Sequence, residues 1–179
     1  MTQNSQFLMN LVTIHTKPGN PLQGLIKLGL KTFPCALGRS GITSQKREGD
    51  GATPLLDCKA LYGFYRPDKG PKPISRLPFI ALHPSMGWCD EKGHALYNRP
   101  VKLPFKSSHE KMWRDDELYD IGVVLDFNIS SRMQNMGSAI FFHIARPGFT
   151  PTEGCVAVRP NVMRQILPLI GRDTIFKLG

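Results

Sequence analysis

The sequence predicts a mainly β fold, a β-sandwich or open barrel with one or two short helices. Its 179 residues include 17 Gly and 15 Pro, which favours many turns between short elements over long helices. Several short segments are apolar or alternate apolar with polar residues, as strands do. The chain is long enough to bury its own hydrophobic core. Residues 1–179 are therefore expected to form a single domain.

Most of the expected elements are strands. The predicted strands cover residues 11–15, 25–33, 59–66, 77–83, 121–127, 138–143 and 173–178. A turn over residues 128–137 would join two of these strands into a hairpin. Ser108 is a suitable N-cap for a short helix over 108–113, and Pro160 is a suitable first residue of a second helix.

The charge and the hydropathy of the chain limit the classes of partner that the protein is expected to bind. The formal net charge is +9 and the sequence pI is about 9.6, a balance that attracts polyanions. The basic residues are scattered, and the chain contains neither an Arg/Lys-rich helix nor an RNA-binding aromatic motif, so no nucleic-acid partner is expected. No apolar run approaches 18 residues, which predicts that the chain has no membrane span.

The stretch that carries chemistry runs over residues 138–160. A predicted apolar strand ends at His143, a Pro/Gly loop follows, and a second strand begins after Gly154 and Cys155. A His and a Cys on adjacent strands can pair as a general base and a thiol nucleophile. The glycine permits a tight turn and leaves backbone N–H groups to bind an oxyanion. The alternative is structural, because a buried Cys often serves as a small core hydrophobe.

These residues resemble the YkuD-type L,D-transpeptidases, which remodel bacterial peptidoglycan. The family signature is an upstream His, a loop of a dozen or more residues, then [S/T]-H-G-C and an apolar residue. The matching positions here are His143, Thr152, Gly154, Cys155 and Val156. Residues 46–55 also resemble the family's K-x-G-D-x-x-T-P loop.

The resemblance implies acyl transfer on peptidoglycan stem peptides, without a cofactor or a metal. Cys155 would be the nucleophile, His143 the general base and then acid, and Gly154 part of the oxyanion region. An amine from a second stem would resolve the thioester and form a cross-link. Two alternatives stay open: water as the acceptor, which gives an L,D-carboxypeptidase or amidase, and a non-enzymatic wall-binding domain.

Two positions depart from the family signature. Glu153 stands where the motif His is usual, and Ala157 stands where an Arg is usual. Another cation is therefore expected to bind the substrate carboxylate, with Arg146 and Arg99 as candidates. The T-E-G-C variant resembles a proteobacterial subgroup that joins L-alanine to diaminopimelate, and it favours that linkage.

Residues 84–105 are expected to form a long, irregular, substrate-facing loop, because loops of this length within a domain are usually functional. Trp88 and Tyr97 would supply aromatic contacts to the substrate there. Thr152 and Glu153, beside the nucleophile, complete the predicted substrate-binding residues.

The remaining cysteines match neither a disulfide framework nor a zinc-ribbon spacing. A disulfide among Cys35, Cys58 and Cys89 stays open if the protein is exported. The resemblance implies the periplasm or cell envelope, although the N-terminus lacks a secretory pattern.

Overall fold

The computed structural model of the protein describes residues 10–179. Within them, fourteen strands account for most of the regular structure. They are β1 (Leu11–Lys17), β2 (Asn20–Leu28), β3 (Lys31–Ala36), β4 (Ile42–Thr43), β5 (Thr53–Pro54), β6 (Leu56–Tyr65), β7 (Phe79–Ala81), β8 (Met86–Cys89), β9 (Arg99–Lys102), β10 (His109–Lys111), β11 (Ile121–Leu125), β12 (Phe141–Ile144), β13 (Val156–Val158) and β14 (Ile175–Leu178). One α-helix, α1 (Pro160–Ile166), follows β13, and 3-10 turns lie at Pro147–Phe149 and Leu167–Leu169.

Eight of the strands close into a barrel-like ring. Their order is β11-β12-β13-β3-β2-β1-β14-β6, and β6 pairs again with β11. Strand β7 adds to β6 outside the ring. Closure removes the exposed edges that an open sheet would leave. The mainly β prediction is confirmed.

A smaller sheet covers one side of the ring. It has the order β10-β8-β9 and comes from residues between β7 and β11. The segment 84–105, expected to be an irregular loop, therefore contains two paired strands. The helix expected over 108–113 is wrong, because His109 and Lys111 pair with Cys89 and Gly87 in this sheet. Cross-strand pairing outweighs a local N-cap.

The ring and the small sheet create two hydrophobic clusters that share the strands between them. Phe142 and Ile144 of β12 face the interior of the ring, where they meet β1, β2, β14 and α1. Phe141 faces the other way, into a cluster with Trp88 and Tyr119. Because β12 is buried on both faces, all its residues except His143 are apolar, and they do not alternate with exposed polar residues. The same holds for Val123 and Val124 of β11.

The N-terminal part of the ring differs from the prediction in one respect. Residues 25–33 were expected to be one strand but form the end of β2, a turn and the start of β3. Gly29 adopts a φ of +58° at the turn, and Leu30 at its tip is fully exposed. Because the residue at the tip of this turn is apolar, the sequence pattern does not show where β2 ends and β3 begins.

Two other sequence predictions, the hairpin before His143 and the helix start, are confirmed. Strands β11 and β12 pair antiparallel, as a hairpin requires, and α1 begins at Pro160.

All four cysteines, which lie in the described part of the chain, are buried free thiols. Across residues 10–179, no helix is both long enough and apolar enough to cross a membrane.

We expect Phe176→Ala to lower the free energy of unfolding by about 3–5 kcal/mol. Phe176 is fully buried inside the ring, where its ring centroid lies 5.4 Å from that of Phe142. Lys177→Ala, at the exposed neighbouring position, should change this free energy by less than about 0.5 kcal/mol. Urea denaturation of both variants measures the difference. Equal losses would contradict the assignment of Phe176 to the core.

Candidate active site

The T-E-G-C loop is held against the end of β3 by its backbone. The Thr152 N–H donates to the Leu37 carbonyl oxygen at 2.9 Å, and the Arg39 N–H donates to the Thr152 carbonyl oxygen at 2.8 Å. The Thr152 hydroxyl accepts from the Gly154 N–H at 3.1 Å and donates to the Cys155 carbonyl oxygen at 2.7 Å. Thr152 therefore fixes the turn that presents the cysteine.

Gly154 is required at this turn. Its φ is +134°, and a Cβ atom there would lie 2.8 Å from the Ala52 carbonyl oxygen. Ala52 belongs to the loop over residues 46–55, which the Asp50 carboxylate organises by accepting from the Arg47 and Ala52 N–H groups at 2.7 and 2.9 Å. Both stretches quoted for the family resemblance thus pack against each other.

The pairing of β12 with β13 brings His143 and Cys155 to the same side of the sheet. The strands are parallel, and Ala157 pairs with His143. Cys155, two residues earlier, lies beside Phe141, so its side chain shares the face of His143. Both residues line one cleft of about 410 Å³. Within the described residues, no direct hydrogen bond joins the imidazole to the sulfur.

The Cys155 sulfur is held by two backbone groups of the segment before β12 and at its start. The thiol donates to the Ala139 carbonyl oxygen at 3.2 Å, and the sulfur accepts from the Phe141 N–H at 3.3 Å. Burial raises the pKa of the thiol to about 12, and the Glu110 carboxylate adds to the rise. Cys155 is therefore a neutral thiol at neutral pH in the free protein.

His143 is held as a neutral base. Its Nδ1 lies 2.8 Å from the Ile144 carbonyl oxygen; since a carbonyl can only accept, Nδ1 carries the hydrogen and Nε2 keeps its lone pair. The pKa of the imidazole is lowered to about 4, chiefly by burial, with a smaller contribution from the Arg114 and Arg146 cations. The free site therefore holds a thiol and a neutral imidazole, not a thiolate–imidazolium pair.

The backbone N–H of Cys155 is available as a hydrogen-bond donor, whereas that of Gly154 is not. The Gly154 N–H is engaged by Thr152. In the described part of the chain, no acceptor pairs with the N–H of Cys155 itself. This N–H is the candidate donor for an oxyanion formed at the cysteine.

One wall of the cleft was missed by the sequence analysis. The Tyr119 hydroxyl donates to the Glu110 carboxylate at 2.6 Å, and the Tyr119 ring packs edge-on against His143 with centroids 5.3 Å apart. Arg114 pairs with Asp116 at 2.6 Å and lies 3.5 Å from Glu110. Burial raises the pKa of Glu110. The sequence analysis missed this wall because it predicted a helix over 108–113. Glu110 lines the cleft from a strand, β10.

The predicted substrate-binding residues divide into two groups. Thr152, Glu153 and Arg146 line the cleft. Arg99 lies on β9 and is not among the cleft-lining residues in the part of the chain that the structure describes. Trp88 and Tyr97 are buried and are likewise not among the cleft-lining residues of the described part of the chain.

The carboxylate of Glu153 is exposed and pairs with an exposed cation. Arg39 Nε donates to both of its oxygens, at 3.1 and 2.9 Å. Arg39 lies just after β3, 114 positions earlier in the sequence. Nothing in the sequence motif identified this partner, because only the fold brings the two segments together.

His143 should make the stability of the protein fall in acid. Its pKa of about 4 in the folded protein is below the unfolded value of about 6.5. The unfolded chain therefore binds the proton more tightly, so stability is full above about pH 6.5 and is lost as the pH falls toward 4. The loss from this group is about 3 kcal/mol.

Urea denaturation of the wild type and of His143→Gln at pH 7 and pH 4 tests this expectation. The wild type should lose about 3 kcal/mol more than the variant over that interval. Identical losses would show that His143 is not the buried titrating group.

The comparisons with known proteins agree with this geometry. The model of the YkuD family, described as the L,D-transpeptidase catalytic domain, matches residues 26–177. Comparison with curated proteins and with solved structures gave no significant match. The family match spans the barrel-like ring from β2 to β14 and includes both walls of the cleft. The chain therefore belongs to the YkuD family of L,D-transpeptidase catalytic domains.

Proposed function

We propose that residues 1–179 act as one catalytic domain, a peptidoglycan L,D-transpeptidase that cross-links stem peptides through a cysteine thioester. The observation that carries the proposal is that Cys155 and His143 line the same cleft, with the His143 Nε2 lone pair left available by the Ile144 carbonyl. A nucleophile and a base within one cleft are the minimum for this chemistry.

Acylation begins when the donor stem enters the cleft. His143 Nε2 takes the thiol proton, and the sulfur attacks the carbonyl carbon between the L-centre and the D-residue. The Cys155 N–H binds the resulting oxyanion; such a donor is typically worth about 100–1,000-fold in rate. The tetrahedral intermediate collapses, the amine of the D-residue leaves, and it takes its proton from the His143 imidazolium.

In the free protein the Cys155 thiol and the His143 imidazole are both neutral, so acylation must begin by creating charge. Forming the thiolate in the closed, buried site costs free energy because both charged forms are desolvated. The substrate must offset that cost through its own contacts, so proton transfer is coupled to attack. A thiol that is neutral at rest is also less open to unproductive alkylation.

The second half-reaction determines the class of the enzyme. An amine of a second stem attacks the thioester, its proton passes to His143, and the thiol of Cys155 is regenerated as the cross-link forms. Water in place of the amine gives an L,D-carboxypeptidase or amidase. The T-E-G-C variant supports L-alanine joined to diaminopimelate as the linkage, and membership of the family supports the periplasm or cell envelope as the compartment.

Cys155→Ala and His143→Ala should each reduce cross-link formation by at least about 1,000-fold. The matched control is Cys58→Ala, which removes an equally buried thiol on β6, away from the cleft. Mass spectrometry of digested peptidoglycan before and after incubation measures the products. Cross-linked dimers support the transpeptidase, and trimmed stems alone support the hydrolase.

An unchanged peptidoglycan profile with the folded wild-type protein would overturn the proposed enzymatic function. If that protein still sediments with peptidoglycan, it is a wall-binding domain. Full activity of Cys155→Ala would reject the nucleophile.

Arg146 is proposed as the cation that binds the substrate carboxylate. Arg114 also lines the cleft, but its Nε and Nη2 atoms are both occupied by Asp116. Arg146 makes one bond to Asp116, at 3.1 Å, and its half-exposed side chain retains free donors. Arg146 therefore has the donors that a bidentate contact with a carboxylate needs.

Arg146→Ala should lower kcat/KM on stem peptides at least tenfold, about 1.4 kcal/mol. Arg99→Ala, which removes the other candidate cation from outside the cleft, should leave kcat/KM within about twofold of the wild type. Steady-state kinetics on the same stem peptide measure both. A larger loss for Arg99→Ala would reverse the assignment.

A further inference from the structure

Asn98 is a fully buried polar residue that the reaction described above does not use. Its Oδ1 accepts from the Trp88 Nε1–H at 2.9 Å and from the Ala139 N–H at 3.1 Å. Its Nδ2 donates to the Phe127 carbonyl oxygen at 3.1 Å. Asn98 therefore ties the small sheet to the segments before and after the β11–β12 turn.

The residue that Asn98 holds is strained. Ala139 has a φ of +52°, in the left-handed region that costs a non-glycine residue about 1–2 kcal/mol. Such a conformation persists only where the surroundings over-determine it. The hydrogen bond from the Ala139 N–H to Asn98 is a direct restraint on it.

The strained residue in turn contacts the sulfur. In this conformation the Ala139 carbonyl oxygen accepts the thiol hydrogen of Cys155 at 3.2 Å. The second contact to the sulfur, from the Phe141 N–H, belongs to β12 and is fixed by strand pairing. The contact from Ala139 is the one that depends on a side chain.

We propose that Asn98 is a positioning residue for Cys155: it fixes the Ala139 carbonyl, and that carbonyl sets the direction of the sulfur and holds its proton until substrate binds. The inference rests on the proposed role of Cys155 as the nucleophile. It also gives residues 84–105 a role, since Asn98 acts from behind the cleft and does not touch substrate.

Asn98→Leu tests the proposal, because leucine has the same branched shape and number of heavy atoms as asparagine but removes all three hydrogen bonds. The neutral thiol then loses its acceptor while the Phe141 N–H still stabilises the thiolate. The pH profile of Cys155 alkylation by iodoacetamide should therefore move down by about half to one unit. Without the Ala139 carbonyl the sulfur is no longer held in its reactive direction. The rate constant kcat for acylation of Cys155 by substrate should therefore fall at least about tenfold, with a smaller change in KM.

The charged and titratable groups that line the cleft with Cys155 do not bond to Asn98. In the described residues they are Glu48, Asp90, Glu110, Arg114, Tyr119, His143, Arg146 and Glu153, and Lys46 also acts on the sulfur. A shift in the profile therefore reports on the Ala139 carbonyl.

Thr174→Val is the matched control. The Thr174 hydroxyl is also fully buried and accepts one backbone N–H, from Gly171 at 2.9 Å, but it lies outside the cleft. This variant should lose stability without a change in the alkylation profile. Adding Ala139→Gly to Asn98→Leu should restore part of kcat, because glycine adopts the left-handed conformation without the restraint.

Asn98 itself has a φ of +54°, a conformation that glycine adopts more readily than leucine. Asn98→Gly therefore gives the same readouts if the leucine variant does not fold. A wild-type alkylation profile in a folded Asn98 variant overturns the inference, as does an equal shift in Thr174→Val. Because iodoacetamide needs no peptidoglycan, the profile still decides the question if the wild type proves not to act on stem peptides.

Discussion

The parallel pairing of β12 with β13 is the constraint on which the rest of the site depends. It fixes Ala157 opposite His143 and so places the Cys155 sulfur beside Phe141, on the face that carries the imidazole. A slip of one residue would turn either side chain into the interior of the ring. The apolar residues between them, Phe142 and Val156, prevent the slip because both are fully buried in the ring core. Hydrophobic packing on one face of the sheet thus determines the catalytic geometry on the other.

Burial has a second effect, on charge. The small sheet and the ring bury the sulfur and the imidazole, which raises the pKa of the thiol and lowers the pKa of the imidazole. The site at rest is therefore neutral, although the cleft also contains carboxylates and guanidinium groups. The proposed chemistry needs charge only when substrate is present, and a preorganised N–H donor is most effective once substrate displaces water from the cleft.

The two stretches recognised in the sequence turn out to be parts of one structure. The loop over residues 46–55 supplies the Ala52 carbonyl against which Gly154 packs, and Thr53 binds the Gly38 N–H beside the T-E-G-C loop. Tyr97 binds Glu48 on the rim of the cleft, and its neighbour Asn98 binds Ala139 at the base. Tyr97 and Asn98 therefore support the cleft from behind, whereas Asp90 of the same segment lines it.

The sequence by itself determined the fold class, the hairpin before His143, the helix start at Pro160 and the side chains of the proposed chemistry. These features depend on local patterns: apolar runs, turn residues and a short motif around Cys155. Tertiary structure alone decided the closure of the ring, the strand at residues 109–111, the Arg39–Glu153 pair and the cleft wall that contains Glu110 and Tyr119. Each of these joins segments distant in sequence, and such contacts depend on packing and burial that no local pattern encodes.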